Sequence, residues 1–319
     1  MRQQKSTVRR AVVLGPQRHV PIVRPAVESL VGSPREPIAF VSAGWEERES
    51  EDGEFRDHMQ RPVLNLEIWG RVERIFTRDP ELLEAMRLRH DTLRRLQELY
   101  RLRLEGLVTA AAALLRHDGA PELLLPETDS AIAMLQALDR EHQDRIAAVH
   151  REFEARFRPG ERESVVLHRR ELGEQLAGAA VLCIAGGHVG VLLHRLQLFS
   201  LLELWGDRPI VAWSAGAMVL SSRVVLFHHA HNTGQGAVDT EVMESGLGIL
   251  PGIVPLPHSR KRLDLKNRLA LRLLARRLQP DACILLDDGD RIDWNGETWT
   301  PHRGSRRLDA AGEVREVAR

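Results

Sequence analysis

Residues 208–220 read RPIVAWSAGAMVL. An unbroken apolar run reaches a serine, and three tiny residues follow at once. A short run of this kind, apolar at every position, suits a strand covered on both faces. A strand that turns sharply into a helix at a serine is the nucleophile-elbow arrangement, and the tight turn needs small neighbours. Ala215, Gly216 and Ala217 supply them, although Trp213 precedes the serine and Ala212 stands where the usual first glycine would be. The same residues also fit a plain serine helix cap followed by small packing residues. The stretch alone leaves both readings open.

The pattern recurs on either side. AVVLG (11–15), PIAFVSAG (37–44), AVLCIAGG (180–187) and ACILLDD (282–288) read as further strands. VPIVRPAVESLVG (20–32), HRRELGEQLAGA (168–179, ending at Gly178), VGVLLHRLQLFSLLELWG (189–206) and DLKNRLALRLLARRL (264–278) read as helices between them. Such alternation predicts an α/β fold with a mostly parallel sheet and helices on both faces. Asn295-Gly296 inside DRIDWNGETWT predicts a closing β-hairpin. The charged stretch EERESEDGEFRDH (46–58) reads as an exposed loop.

Between 78 and 158 the period changes. Leu82, Met86, Leu93, Leu96, Tyr100 and Leu107 keep helical spacing, as do Ile132, Leu135, Leu138, Ile146, Val149, Phe153 and Phe157. DGAPELLLPETD (118–129) separates the two, with Thr128, Asp129 or Ser130 as caps for the second helix. The expectation is a long helical hairpin inserted between the second and third strands. The α/β domain then comprises 8–77 and 159–319, the insertion 78–158, and residues 1–7 a flexible basic tail. The Arg/Glu-rich helix faces read as solvated surfaces laced with i,i+4 ion pairs.

Lys+Arg and Asp+Glu each number 45, so bulk charge gives no case for nucleic acid or membrane as partner. No apolar run approaches the ~20 residues of a membrane helix. The two cysteines, Cys183 and Cys283, sit in apolar strand-like runs and read as reduced core thiols, which points to the cytoplasm. His228, His229 and His231 cluster, but without Cys or an acidic partner at ligand spacing. Neither a metal nor a cofactor is expected.

A nucleophilic serine needs a base. ESGLGILPGIVPLPHSRKR (244–262) offers His258. The Gly186-Gly187 turn can place a backbone N–H beside the serine, and His188 lies next to it.

Together, IAGGH (184–188), AWSAGAM (212–218) and GLGILPGIVPLPHSRKR (246–262) resemble the dipeptidase E and cyanophycinase family, serine members of the class I glutamine amidotransferase-like fold. The resemblance covers about residues 8–45 and 164–290 and omits the hairpin. It implies Ser214 as nucleophile, His258 as base, and the N–H groups of Gly187 and Ala215 as the oxyanion hole. It also implies a substrate contact for Arg262, with Arg260 as the neighbouring alternative, and it aligns Asp288-Gly289 with an Asp-Glu-Gly run. Departures bear on the substrate. His188 stands where the family has Asn or Asp, and Leu256-Pro257 replaces an Asp-Gln pair, which argues against cyanophycin. The family's acid lies between serine and histidine, yet the matching window, HAHNTG (229–234), holds no carboxylate. Glu241, with Asp239 close behind, is the expected triad acid.

The resemblance thus implies a serine hydrolase cleaving a small amide or peptide bond through an acyl-enzyme. The alternative is a catalytically weak or inactive member acting as a binding module whose hairpin docks a partner. An amide-transfer role is weaker, since no cysteine sits at the elbow. The hairpin equally suits a lid, a homodimer contact or a partner surface.

Overall fold

Strands buried on both faces build the centre of the molecule. A computed structural model describes residues 8–227, 240–302 and 304–317. Its strands are β1 (Ala11–Leu14), β2 (Ile38–Val41), β3 (Val63–Asn65), β4 (Val181–Ile184), β5 (Ile210–Trp213), β6 (Arg223–Phe227), β7 (Thr240–Ser245), β8 (Ile253–Pro257), β9 (Ala282–Leu286), β10 (Arg291–Trp294), β11 (Trp299–Pro301), β12 (Arg306–Leu308) and β13 (Val314–Glu316). The helices are α1 (Val23–Glu28), α2 (Gly53–Met59), α3 (Ile68–Arg78), α4 (Pro80–Arg116), α5 (Pro121–Phe157), α6 (Glu163–Ala177), α7 (Val189–Leu198), α8 (Leu201–Trp205), α9 (Ala215–Leu220), α10 (Ser259–Arg262) and α11 (Arg268–Leu278).

The main sheet runs β11-β10-β1-β5-β4-β2-β3. Strands β1, β5, β4, β2 and β3 are mutually parallel, and the β10–β11 hairpin adds an antiparallel edge. Successive side chains face opposite layers. Val12, Leu14, Ile38, Phe40, Val181, Cys183, Val211 and Trp213 pack with α1 and α2. Ala11, Val13, Ala39, Val41, Leu182, Ile184, Ile210 and Ala212 join the larger core with α3 and α6–α9. Burying each large aliphatic side chain contributes roughly 1.5–3 kcal/mol, and a one-residue slip of a central strand would move each side chain into the opposite layer. The expected α/β architecture with helices on both faces is therefore observed. A second sheet, β13-β12-β9-β8, carries a parallel β8–β9 pair, and β6 and β7 form a ribbon.

Four local expectations change. The stretch 46–58 is not an exposed loop: a 3₁₀ turn (Ala43–Arg48) and α2 bury Phe55 and Met59. Phe55 stacks on Phe40 at 4.0 Å between ring centroids, so two aromatics outweigh the surrounding charges. A short third parallel strand, β3, follows, and the hairpin enters after it. The run 189–206 breaks at Ser200, which is left-handed (φ 45°), giving α7 and α8. The second hairpin helix starts at Pro121, with no cap from Thr128, Asp129 or Ser130, and continues through Pro126. A proline so near an N-terminus removes only one helical hydrogen bond.

Helices α4 and α5 pack antiparallel and share the main core through Tyr100, Leu104, Leu135 and Leu138. A buried polar cluster ties them to the body. The Arg277 guanidinium on α11 donates to both Asp139 oxygens (2.7 and 2.8 Å) and to the Tyr100 hydroxyl (2.6 Å). Tyr100 donates to Asp139 at 2.7 Å and accepts from the Val242 N–H at 3.1 Å. Both cysteines are free and buried; burial pushes the Cys283 thiol up to about 12 and Cys183 up as well. Among the described residues, no helix is long and apolar enough to cross a membrane. The tail 1–7 lies outside the described residues.

Candidate active site

In open α/β sheets, ligand chemistry collects beyond the carboxyl ends of parallel strands. Here the ends of β2, β4, β5 and β8 deliver Gly44, Gly186–His188, Ser214 and His258 to one cleft of about 1020 Å³. Trp213, Met218, Phe227, Met243 and Arg262 complete much of its wall.

Ser214 joins β5 directly to α9 with φ 51° and ψ −121°, a conformation L side chains rarely adopt. Its side chain makes no cap bond to α9. The plain-cap reading therefore fails, and the elbow reading fits. The small neighbours have a steric cause. A Cβ on Gly216 would come within 2.3 Å of the Ile184 carbonyl oxygen, and one on Gly186 within 2.8 Å of the Ser214 Cβ. Gly187 (φ 116°) has no room either, since a Cβ there would meet the Gly44 carbonyl oxygen at 2.2 Å. That close approach is held by the His188 N–H, which donates to Gly44 O at 2.7 Å.

The elbow thus sits against the Gly186-Gly187 turn. The N–H groups of Gly187 and Ala215 make no hydrogen bond among the described residues. Two unpaired donors beside one hydroxyl are what an oxyanion requires. His188 caps α7: its Nδ1 accepts from the Val191 N–H at 3.1 Å. That bond assigns the neutral ring its proton at Nε2, the nitrogen left free to donate.

His258 ends β8 in a left-handed conformation (φ 59°) and lines the same cleft. Its backbone N–H donates to Leu286 O at 2.9 Å. Burial holds its pKa below the ordinary histidine value, reinforced by Arg262 and Lys261 and opposed by Asp288 and Asp287. The ring is accordingly neutral near pH 7, the form a general base needs. Arg262 lies with its guanidinium 5.7 Å from the Phe227 ring centroid, and desolvation lowers its pKa. Among the described residues it has no carboxylate partner. Arg260 does not line the cleft; its N–H donates to Asp287 Oδ1 at 3.1 Å.

Glu241, expected to orient His258, faces the hairpin instead. Its carboxylate takes Arg101 at 2.5 and 2.8 Å and Gln97 at 2.8 Å. Strand β7 turns this residue toward α4, so hairpin docking accounts for it. Asp239 and the histidines at 228, 229 and 231 lie outside the described residues. The carboxylates that act on His258 are Asp288 and Asp287, from the segment after β9. Asp287 is also engaged by Ser259, the Arg260 N–H and Arg306, whereas Asp288 is exposed. The sequence resemblance marked the Asp288-Gly289 pair without assigning it a role, and neither residue lines the cleft.

Fold and site together define an α/β protein with a strand-end serine elbow and a histidine in one cleft. The sequence matches no known family and no curated protein. Among solved structures it is similar to a peptidase from an acI-B1 Actinobacterium, with TM-score 0.46, 15% identity, 98% of this chain and 99% of that one covered. It is also similar to a putative peptidase E protein from Listeria monocytogenes EGD-e, with TM-score 0.43, 11% identity, 94% and 99% covered.

Proposed function

We propose that the chain is a serine hydrolase that cleaves a small amide or peptide bond. The observation that carries this reading is the strained, uncapped Ser214 at the end of β5, sharing a cleft with a neutral His258. Ser214 Oγ attacks the carbonyl carbon while His258 accepts the hydroxyl proton and then delivers it to the leaving amine. Water resolves the acyl-enzyme by the reverse proton path. The Gly187 and Ala215 N–H groups hold the developing oxyanion, each worth about 10²–10³ in rate. Asp288 takes the electrostatic part of the acid, favouring the imidazolium as it forms, in place of Glu241.

Arg262 supplies a cation that has no carboxylate partner among the described residues of the cleft wall, suited to a substrate carboxylate. That favours dipeptides or short peptides with a free terminus. The resemblance of the three glycine- and serine-bearing motifs to dipeptidase E and cyanophycinase enzymes supports the same chemistry on an amidotransferase-like fold.

The test is turnover of a pooled dipeptide and short-peptide library, read by mass spectrometry, for wild type, Ser214→Ala and His258→Ala. Cleavage lost in both variants is expected. A folded wild type that cleaves nothing would transfer the cleft to the binding-module reading.

A further inference from the structure

Away from the cleft floor, three side chains from three elements converge. His150 Nε2 on α5 lies 2.8 Å from Glu244 Oε2, and His194 Nε2 on α7 lies 2.7 Å from Glu244 Oε1. One ligand atom from each lies within 4.8 Å of the others. We propose that His150, His194 and Glu244 form a binding site for a divalent transition ion, of which zinc is the natural occupant, clamping the helical hairpin to the cleft wall.

Donor type fits the ion. Two imidazoles and a carboxylate are a standard donor set for zinc, leaving a fourth position for water. Both histidines present Nε2 to the same carboxylate, His150 to Oε2 and His194 to Oε1. Ligands about 2.1 Å from a tetrahedral ion stand roughly 3.4 Å apart, so the present contacts of 2.8 and 2.7 Å open by about 0.6–0.7 Å to admit one.

Access fits as well: the Glu244 side chain is only 5% exposed, while the histidine side chains keep 21% and 18% exposure, an entry path. Neither Nδ1 has a partner among the described residues. Each ring therefore has a second nitrogen free to hold the proton when Nε2 binds metal. The charged neighbours are Arg89 on α4, which opposes a cation, and Glu154 on α5, which acts on both Arg89 and His150 and offsets it.

Placement gives the site a consequence. Glu244 is adjacent in β7 to Met243, which lines the cleft, and α7 begins at His188 on the cleft rim. An ion here would tie α5 to the strand and helix that shape one side of the cleft. The site is independent of the hydrolase reading, since it uses none of that machinery.

The experiment uses the full chain, stripped with chelator and titrated with Co²⁺ and then Zn²⁺. One equivalent of cobalt with visible d–d absorption is expected, displaced by zinc, with a rise in Tm on zinc addition. His194→Ala and His150→Ala should each weaken binding by about 100-fold or more, since losing even an outer-shell partner costs about 10–100-fold. A variant with His228, His229 and His231 all changed to Ala should bind as wild type does. Circular dichroism confirms that each variant is folded, and the wild-type titration stands without them. Absence of saturable micromolar binding in wild type, or binding that follows the 228–231 histidines, overturns the proposal.

Discussion

Replacing Ser214 with glycine should make the protein more stable while destroying its activity. At φ 51° and ψ −121° the serine pays a steric penalty of about 1–3 kcal/mol. Glycine reaches that region freely but carries an unfolded-state entropy cost of roughly 0.5–1 kcal/mol. The net expectation is a gain of about 0.5–2 kcal/mol for Ser214→Gly. Ser214→Ala keeps the Cβ, and with it the strain, and loses a hydroxyl that makes no hydrogen bond among the described residues. Its stability should stay within about 0.5 kcal/mol of wild type. The difference between the two variants therefore isolates the strain. With 319 residues, the unfolding entropy is about 0.7 kcal/mol/K, so the Tm gain is only about 1–3 °C. Urea titration is the better assay: the midpoint should rise with an unchanged slope. Cleavage of the responsive peptide, followed in parallel, should vanish in both variants. A glycine variant no more stable than the alanine variant would refute the strained elbow, and one that still cleaves would refute Ser214 as nucleophile.

The His258 pKa is lowered, so the neutral base persists below the ordinary histidine value of about 6.5. The acid limb of the kcat/KM profile should accordingly fall below pH ~6.5. The same shift makes this group's contribution to stability full above that value and lost as pH falls through the depressed one, visible as a declining urea midpoint. Arg262→Met keeps an apolar stem beside Phe227 and removes the charge. For peptides with a free carboxylate KM should rise about 10–100-fold, as expected for one charged hydrogen bond of about 1.5–3 kcal/mol, while amidated peptides barely respond. Asp139→Ala strands the Arg277 guanidinium in a site where the two side chains are 1% and 3% exposed. The expected loss is about 3–5 kcal/mol by urea denaturation, and adding Arg277→Met should recover much of it.

What could be read from the chain follows from how local each signal is. The elbow was legible because strand, serine and tiny residues are contiguous, and the steric demand that selects them acts within a few residues. The two core layers were legible for the same reason: every central strand is apolar at every position, and each residue's layer follows from its parity. Helix α2 was missed because charges surround Phe55, and it is Phe40, fifteen positions earlier, and Trp213, far along the chain, that make that ring a core residue. Glu241 was misassigned because distance along the chain cannot tell which face of β7 a side chain takes. The hairpin supplies Arg101 and Gln97, some 140 positions away, and they claim that carboxylate first. The His150, His194 and Glu244 cluster draws on three segments with no shared spacing, so nothing in the sequence marks it. Residues that serve backbone geometry announce themselves in sequence. Residues that serve another residue's charge do so only once the fold has chosen the partner.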